Sequence, residues 1–197
     1  MIGEMLAKKF LSVFNIANGL VRLDSTGKIP ALDGSLLTNL PAAASSGWTV
    51  IARTTDSAAV NNSTTFVDDG VLQFAVEANK DYIGEFVIFI STTAVADWKC
   101  QLTGPASPTS VRIYGQSLQS AGAWNAQHNG TPPVITAFST ALDDSTSMST
   151  ASLARIQFHI QNGANAGTVA LQFAQLGADA NDTKNLRGSY VMYMKTN

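Results

Sequence analysis

A chain of 197 residues is long enough for one well-formed core, or for one domain with an extended arm. Only 13% of it is charged, and a net charge of -2 with scattered Lys and Arg excludes a phosphate-binding face, so no nucleic-acid partner is expected. No window supplies the roughly 20 apolar residues that cross a bilayer, so no membrane span is expected either.

Residues 1–18 read as a docking arm. Ile2, Met5, Leu6, Phe10, Val13 and Phe14 recur at helical spacing, with Glu4, Lys8 and Lys9 off that stripe. The pattern predicts a short amphipathic helix. Such a helix is marginal alone in water, so its apolar stripe needs a partner protein, the assembled oligomer, or the chain's own β-domain. Lys8-Lys9 followed by residues 10–14 has the outline of a secretion signal, but the apolar run is too short and breaks at Asn15 and Asn18.

Residues 19–47 form a stalk and hinge. Leu20, Leu23, Ile29, Leu32, Leu36, Leu37 and Leu40 need burial, yet Ser25-Thr-Gly27, Pro30, Asp33-Gly34 and Pro41 interrupt any helix or long strand that could bury them within one chain. Another copy of the chain is the natural partner. The sequence Leu23-Asp-Ser-Thr-Gly-Lys-Ile-Pro30, followed by Ala31-Leu-Asp-Gly-Ser-Leu-Leu-Thr-Asn-Leu-Pro41, resembles the stalk segment of fibre and appendage proteins of tailed bacteriophages. That resemblance implies a homotrimer whose particle-bound N-terminus is joined to a distal β-domain. It also implies synthesis in the host cytoplasm followed by assembly into the virion. In such a trimer Leu23, Ile29, Leu32, Leu36, Leu37 and Leu40 would pack around the threefold axis. Ala42-Ala-Ala-Ser-Ser-Gly47 then reads as a flexible hinge, because small residues gain little from being ordered.

From Trp48 the pattern switches to period two, so residues 48–197 read as an antiparallel β-sandwich. Leu72, Phe74 and Val76 share one face, with Asp68-Asp-Gly70 supplying a turn before them. In Tyr82-Ile-Gly-Glu-Phe-Val-Ile-Phe-Ile90 both alternation classes are apolar except at Glu85, which predicts a central strand or one covered on both faces. Trp98, Cys100 and Leu102 alternate with polar residues, so the lone cysteine is expected in the core rather than as a reactive thiol. Ile156, Phe158 and Ile160 form another half-buried strand, and the loop at residues 162–167 leads into Val169, Leu171 and Phe173 as a predicted hairpin. Tyr190, Met192 and Met194 fall on one side of the last strand. About eight or nine such strands fit a jelly-roll-like sandwich.

Chemistry-bearing constellations are sparse. His128 and His159 lack a nucleophile motif such as Gly-x-Ser-x-Gly. Asp68-Asp69, Asp143-Asp144, and Asp179 with Asp182 follow no calcium-loop pattern and read as turn residues whose carboxylates bond nearby amides. No catalytic residue, cofactor or metal is expected. The best recognition candidate is the loop at residues 121–130, where Trp124 offers a stacking face and Asn125, Gln127 and His128 offer hydrogen bonds suited to a host surface glycan. The alternative is that Trp124 plugs the end of the sandwich.

The expectation is therefore an all-β, non-enzymatic structural protein of a virion. It is a homotrimeric capsid decoration or head-fibre protein bound through its arm to the major capsid protein, or else a tail or neck fibre protein that binds a glycan.

Overall fold

The computed structural model describes Ser25 and residues 47–118, 124–126, 134–143, 148 and 152–197. The expected arm helix and the stalk leucines fall outside these residues. The chain divides between Ala44 and Ser45, and the architecture below belongs to the unit Ser45–Asn197.

No described residue is helical, and the alternating segments form eleven strands among the described residues. They are β1 (Trp48–Ala52), β2 (Val67–Val76), β3 (Asp81–Ser91), β4 (Lys99–Thr103), β5 (Ser110–Leu118), β6 (Trp124–Ala126), β7 (Leu142–Asp143), β8 (Ser152–Gln161), β9 (Gly167–Ala174), β10 (Lys184–Asn185) and β11 (Tyr190–Lys195). All pairings are antiparallel. One sheet runs β1-β11-β3-β8-β5-β6, with β10 also paired to β3, and the other runs β2-β9-β4-β7. Strands β10 and β11 meet the same flank of β3, so residues 186–189 act as a bend within one interrupted strand.

The two sheets bury one core between them. Phe74 of β2 stacks on Tyr193 of β11 at 4.1 Å between ring centroids and on Phe158 of β8 at 5.5 Å. Phe86, Ile88, Ile156 and Ile160 enter this core from the larger sheet, and Leu72, Trp98, Leu102 and Phe173 enter it from the smaller. Each large apolar side chain contributes about 1.5–3 kcal/mol when fully buried. Cys100 is buried among them, as its alternation with Trp98 and Leu102 predicts.

Two expectations are corrected. First, β8 and β9 are not a hairpin: β8 pairs with β3 and β5, whereas β9 pairs with β2 and β4. The connecting loop is held elsewhere. The Asn162 side chain donates to the carbonyls of Glu77 and Asn165, each at 2.8 Å, and the Asn162 and Asn79 amides donate to Lys80 and Gly163. These bonds tie the loop to the β2–β3 connection and carry the chain across to the opposite sheet.

Second, Asp68-Asp69-Gly70 is not a turn before the strand but an irregularity within β2, where the register with β9 shifts between Asp68 and Gln73. Gly70 takes φ +79°, a left-handed value open to glycine. The bulge turns Asp69 inward, and its carboxylate accepts the Leu72 amide at 2.9 Å while pairing with buried Arg53.

Candidate functional site

The residues expected to anchor the particle, Ile2, Met5, Leu6, Phe10, Val13 and Phe14, lie outside the described residues, as do the stalk residues Leu23, Ile29, Leu32, Leu36, Leu37 and Leu40. Gln127 and His128 lie outside them too. Trp124 and Asn125 are placed by their backbone in a short strand rather than a loop. Strand β6 pairs with β5 in the register Leu118↔Trp124 and Ser117↔Asn125, at the end of the larger sheet.

Of the aspartates read as turn residues, Asp179 bonds a nearby amide as expected, Asp182 is instead held by side chains, Asp143 lies in β7, and Asp144 lies outside the described residues. Asp179 accepts from the backbone and side-chain nitrogens of Asn181, and Asp182 accepts from Asn61 and pairs with Lys184 at 2.8 Å. Among the described residues no group of three or more His, Cys, Asp or Glu side chains is placed to hold a metal ion.

What sets this β-body apart is the difference between the outer faces of its sheets. On the smaller sheet that face is largely polar, although Val71 of β2 is 38% exposed. Gln101 donates to Gln172 at 2.6 Å and Gln172 donates to Asp68 at 2.8 Å, making a ladder across β4, β9 and β2. Thr103, Ala170 and Gln73 continue it. Such a surface satisfies itself and water together.

The larger sheet presents the opposite chemistry. Pairing aligns Trp48, Met194 and Ile83 in one outward row, Val50, Met192 and Glu85 in the next, and Ala52, Tyr190 and Val87 in a third. Trp48 is 44% exposed, Val50 60% and Phe89 40%. The one charged side chain in those three rows of β1, β11 and β3 is Glu85, which Arg155 of β8 pairs at 2.6 Å. Trp48, Ile83, Glu85, Gln157 and Met192 rim a shallow dimple floored at Gly84.

Across β8 and β5 the same rows turn polar and aromatic. Ile83 faces His159 and then Arg112, and Glu85 faces Gln157 and then Tyr114. A second dimple opens between Tyr114, Val134, Gln157 and His159. His159 is thus on the outer face, as its alternation predicts, with Arg112 as its cross-strand neighbour.

A signal for this face lies in the sequence. Strand β3 is apolar on both alternation classes, and it is indeed central, between β11 and β8. On the inner face Phe86, Ile88 and Ile90 are buried; on the outer face Val87 is buried as well, Ile83 and Glu85 are half-buried, and Phe89 is open. A scan of family models and searches of curated proteins and solved structures find no match to this chain.

Proposed function

We propose that the chain is a structural protein of a tailed-phage virion: a homotrimeric capsid decoration or head-fibre protein, anchored by its N-terminal arm, with the β-sandwich projecting outward. The observation that carries this reading is the order of modules. An apolar arm precedes a stalk-like sequence at residues 19–41, and these lead into an all-β body that begins at Trp48. Short apolar pulses between turn residues gain burial area when copies associate, at about 25 cal/mol per Å2.

Within this reading the body is a jelly roll. Strands β1-β11-β3-β8 lie opposite β2-β9-β4-β7, and along those eight strands every connection but β4 to β7 passes from one sheet to the other, which is the winding of two Greek keys. Strands β5 and β6 are an insert that widens the larger sheet. The arm is a short helix whose apolar stripe docks on the major capsid protein, and the chain has no catalytic role.

A second reading is a tail or neck fibre protein that binds a host surface glycan. It is favoured by the placement of Trp124 and Asn125 in the terminal strand of a sheet, where a ligand can approach. Cryo-electron microscopy of the virion with this protein labelled separates the two. Density on the capsid lattice is the expected result, and density confined to the neck or tail replaces the first reading with the second.

A further inference from the structure

We infer that the free edge of β1 is a strand-pairing surface whose partner is β1 of a second copy, the two strands joining antiparallel about a twofold axis so that the larger sheets of two copies become one. The inference goes beyond the trimer reading and does not rest on it.

Backbone geometry fixes which groups the edge offers. Strand β1 pairs with β11 alone. Arg53, one residue past β1, donates its amide to the Ser189 carbonyl, and its own carbonyl accepts from the Gly188 amide; on the far side of β11 the Thr196 amide donates to Asp81. Bonding direction alternates along an antiparallel strand. Both observations therefore turn the amides and carbonyls of Thr49 and Ile51 towards β11, and those of Trp48, Val50 and Ala52 away from it. Among the described residues nothing bonds these outward groups. The protein partner that satisfies such a row along its length is an extended strand.

Each other sheet edge among the described residues carries a feature that discourages pairing. Strand β6 has three residues and β7 two. Strand β2 is broken by the bulge at residues 68–70, which sets Asp68 on that edge strand and leaves Gln73–Val76 as the regular stretch beside β9. Strand β1 has none of these: Trp48-Thr-Val-Ile-Ala52 holds no charge, proline, glycine or bulge.

The residues of β1 also suit a copy of themselves. With Val50 at the centre, its outward groups meet those of Val50 in the second copy, and Trp48 meets Ala52 on either side. Every outward group then finds its counterpart in one register. The indole lies beside a methyl group, Thr49 lies beside Ile51, and no charge faces its own image, which would oppose self-pairing. The contact covers Trp48 and Val50, which are 44% and 60% exposed, and its twofold closes on a pair.

The test uses the full chain. Under mild oxidation Val50→Cys is expected to give a disulfide-linked dimer joined at residue 50, since hydrogen-bonded residues directly opposite each other have Cα atoms about 5.5 Å apart, within disulfide reach. The native Cys100 is buried. Val71→Cys, on β2 and also exposed, is expected to link far more slowly. Equal rates for the two, or no dimer from position 50, overturn the inference. Residue-resolved hydrogen exchange reads the pairing directly. Protection of the Val50 and Ala52 amides is expected to rise about tenfold for a roughly hundredfold rise in protein concentration, as mass action requires, while Thr49 and Ile51 stay unchanged. Protection independent of concentration overturns the inference, whether those amides are open or held by residues 1–46 of the same chain. In Val50→Pro, which removes an outward donor and spares the bonds of Ile51 to β11, the rise at Ala52 is expected to vanish, and a rise that persists overturns the inference. Val50→Cys combined with Leu36→Asp and Leu40→Asp is expected to form the same dimer, so a failed trimer reading leaves the pairing standing; a dimer that disappears with the stalk overturns it as an interface of its own.

Discussion

The side-chain amide of Asn185 donates to the carboxylate of Asp69 at 2.8 Å in the buried interior, joining β10 of one sheet to β2 of the other. Its oxygen accepts the indole N–H of Trp98 at 3.0 Å, and the Asn185 backbone amide donates to Ser57. One residue therefore satisfies polar groups from three other segments. Asn185→Leu leaves the Trp98 indole without this acceptor and the carboxylate without this donor. The expected loss is about 2–4 kcal/mol of unfolding free energy, read from urea denaturation.

Arg53 and Asp69 form the buried ion pair beside it, with side chains 5% and 0% exposed. Arg53→Met strands a buried carboxylate and is expected to cost about 3–5 kcal/mol. Because Asp69 also accepts the amides of Val71 and Leu72 in the bulge, Asp69→Asn is expected to cost a comparable amount. The double variant should fall short of the sum, as a double-mutant cycle in urea will measure.

Gly84 sits in the middle of central strand β3, where a Cβ would come within 2.5 Å of the Phe158 ring and would also press on the Met192 carbonyl. Gly84→Ala is expected to destabilise by about 1–3 kcal/mol, since the backbone of β11 must shift along with the ring. Thermal unfolding of Gly84→Ala against Ala75→Gly, on the polar outer face, checks this. Similar midpoints would show that β11 yields without strain.

Acid should weaken the body through three surface carboxylates. The Lys195 ammonium holds Glu77 below its ordinary pKa by hydrogen bond and charge, the Asn181 backbone and side-chain N–H groups do so for Asp179, and hydrogen bonds from Lys184 and then Asn61 do so for Asp182. A depressed folded pKa stabilises above the unfolded value, and that contribution disappears as pH falls through the folded one. The urea midpoint is therefore expected to drop below about pH 4. Glu77→Gln and Asp179→Asn should each flatten that acid limb. At the other end, Lys184 and Lys195 are raised by Asp182 and Glu77 respectively, so their contribution is lost as pH rises through their folded values.

Replacing Leu36 and Leu40 with Asp is expected to yield monomers, or a far more weakly associated species, while the β-body stays folded by circular dichroism. An unchanged mass in light scattering would remove the stalk from the assembly.

The sequence by itself determined the class of the body and most of its inward faces. Alternation in residues 71–77, 98–102 and 156–160 put Leu72, Phe74, Trp98, Cys100 and Ile156 in the core, because a strand turns successive side chains to opposite faces whatever it pairs with; in the last strand it grouped Tyr190, Met192 and Met194 without saying that theirs is the outward side. That same property says nothing of partners. Strand β9 would bury Val169 and Leu171 equally well beside β8; in the structure it pairs with β2 and β4, and the Asn162 bonds to the β2–β3 connection hold the crossing loop. The pairing of Asp69 with Arg53 and Asn185 was equally hidden, since its members are separated by 16 and 116 residues and meet only when both sheets are in place. For the candidate surface the sequence supplied the apolar residues of β3 and β11, but alternation cannot say which face is left open. The tertiary structure decided that, because one core covers only one side of each sheet, and the outward side of β1, β11 and β3 is the apolar one.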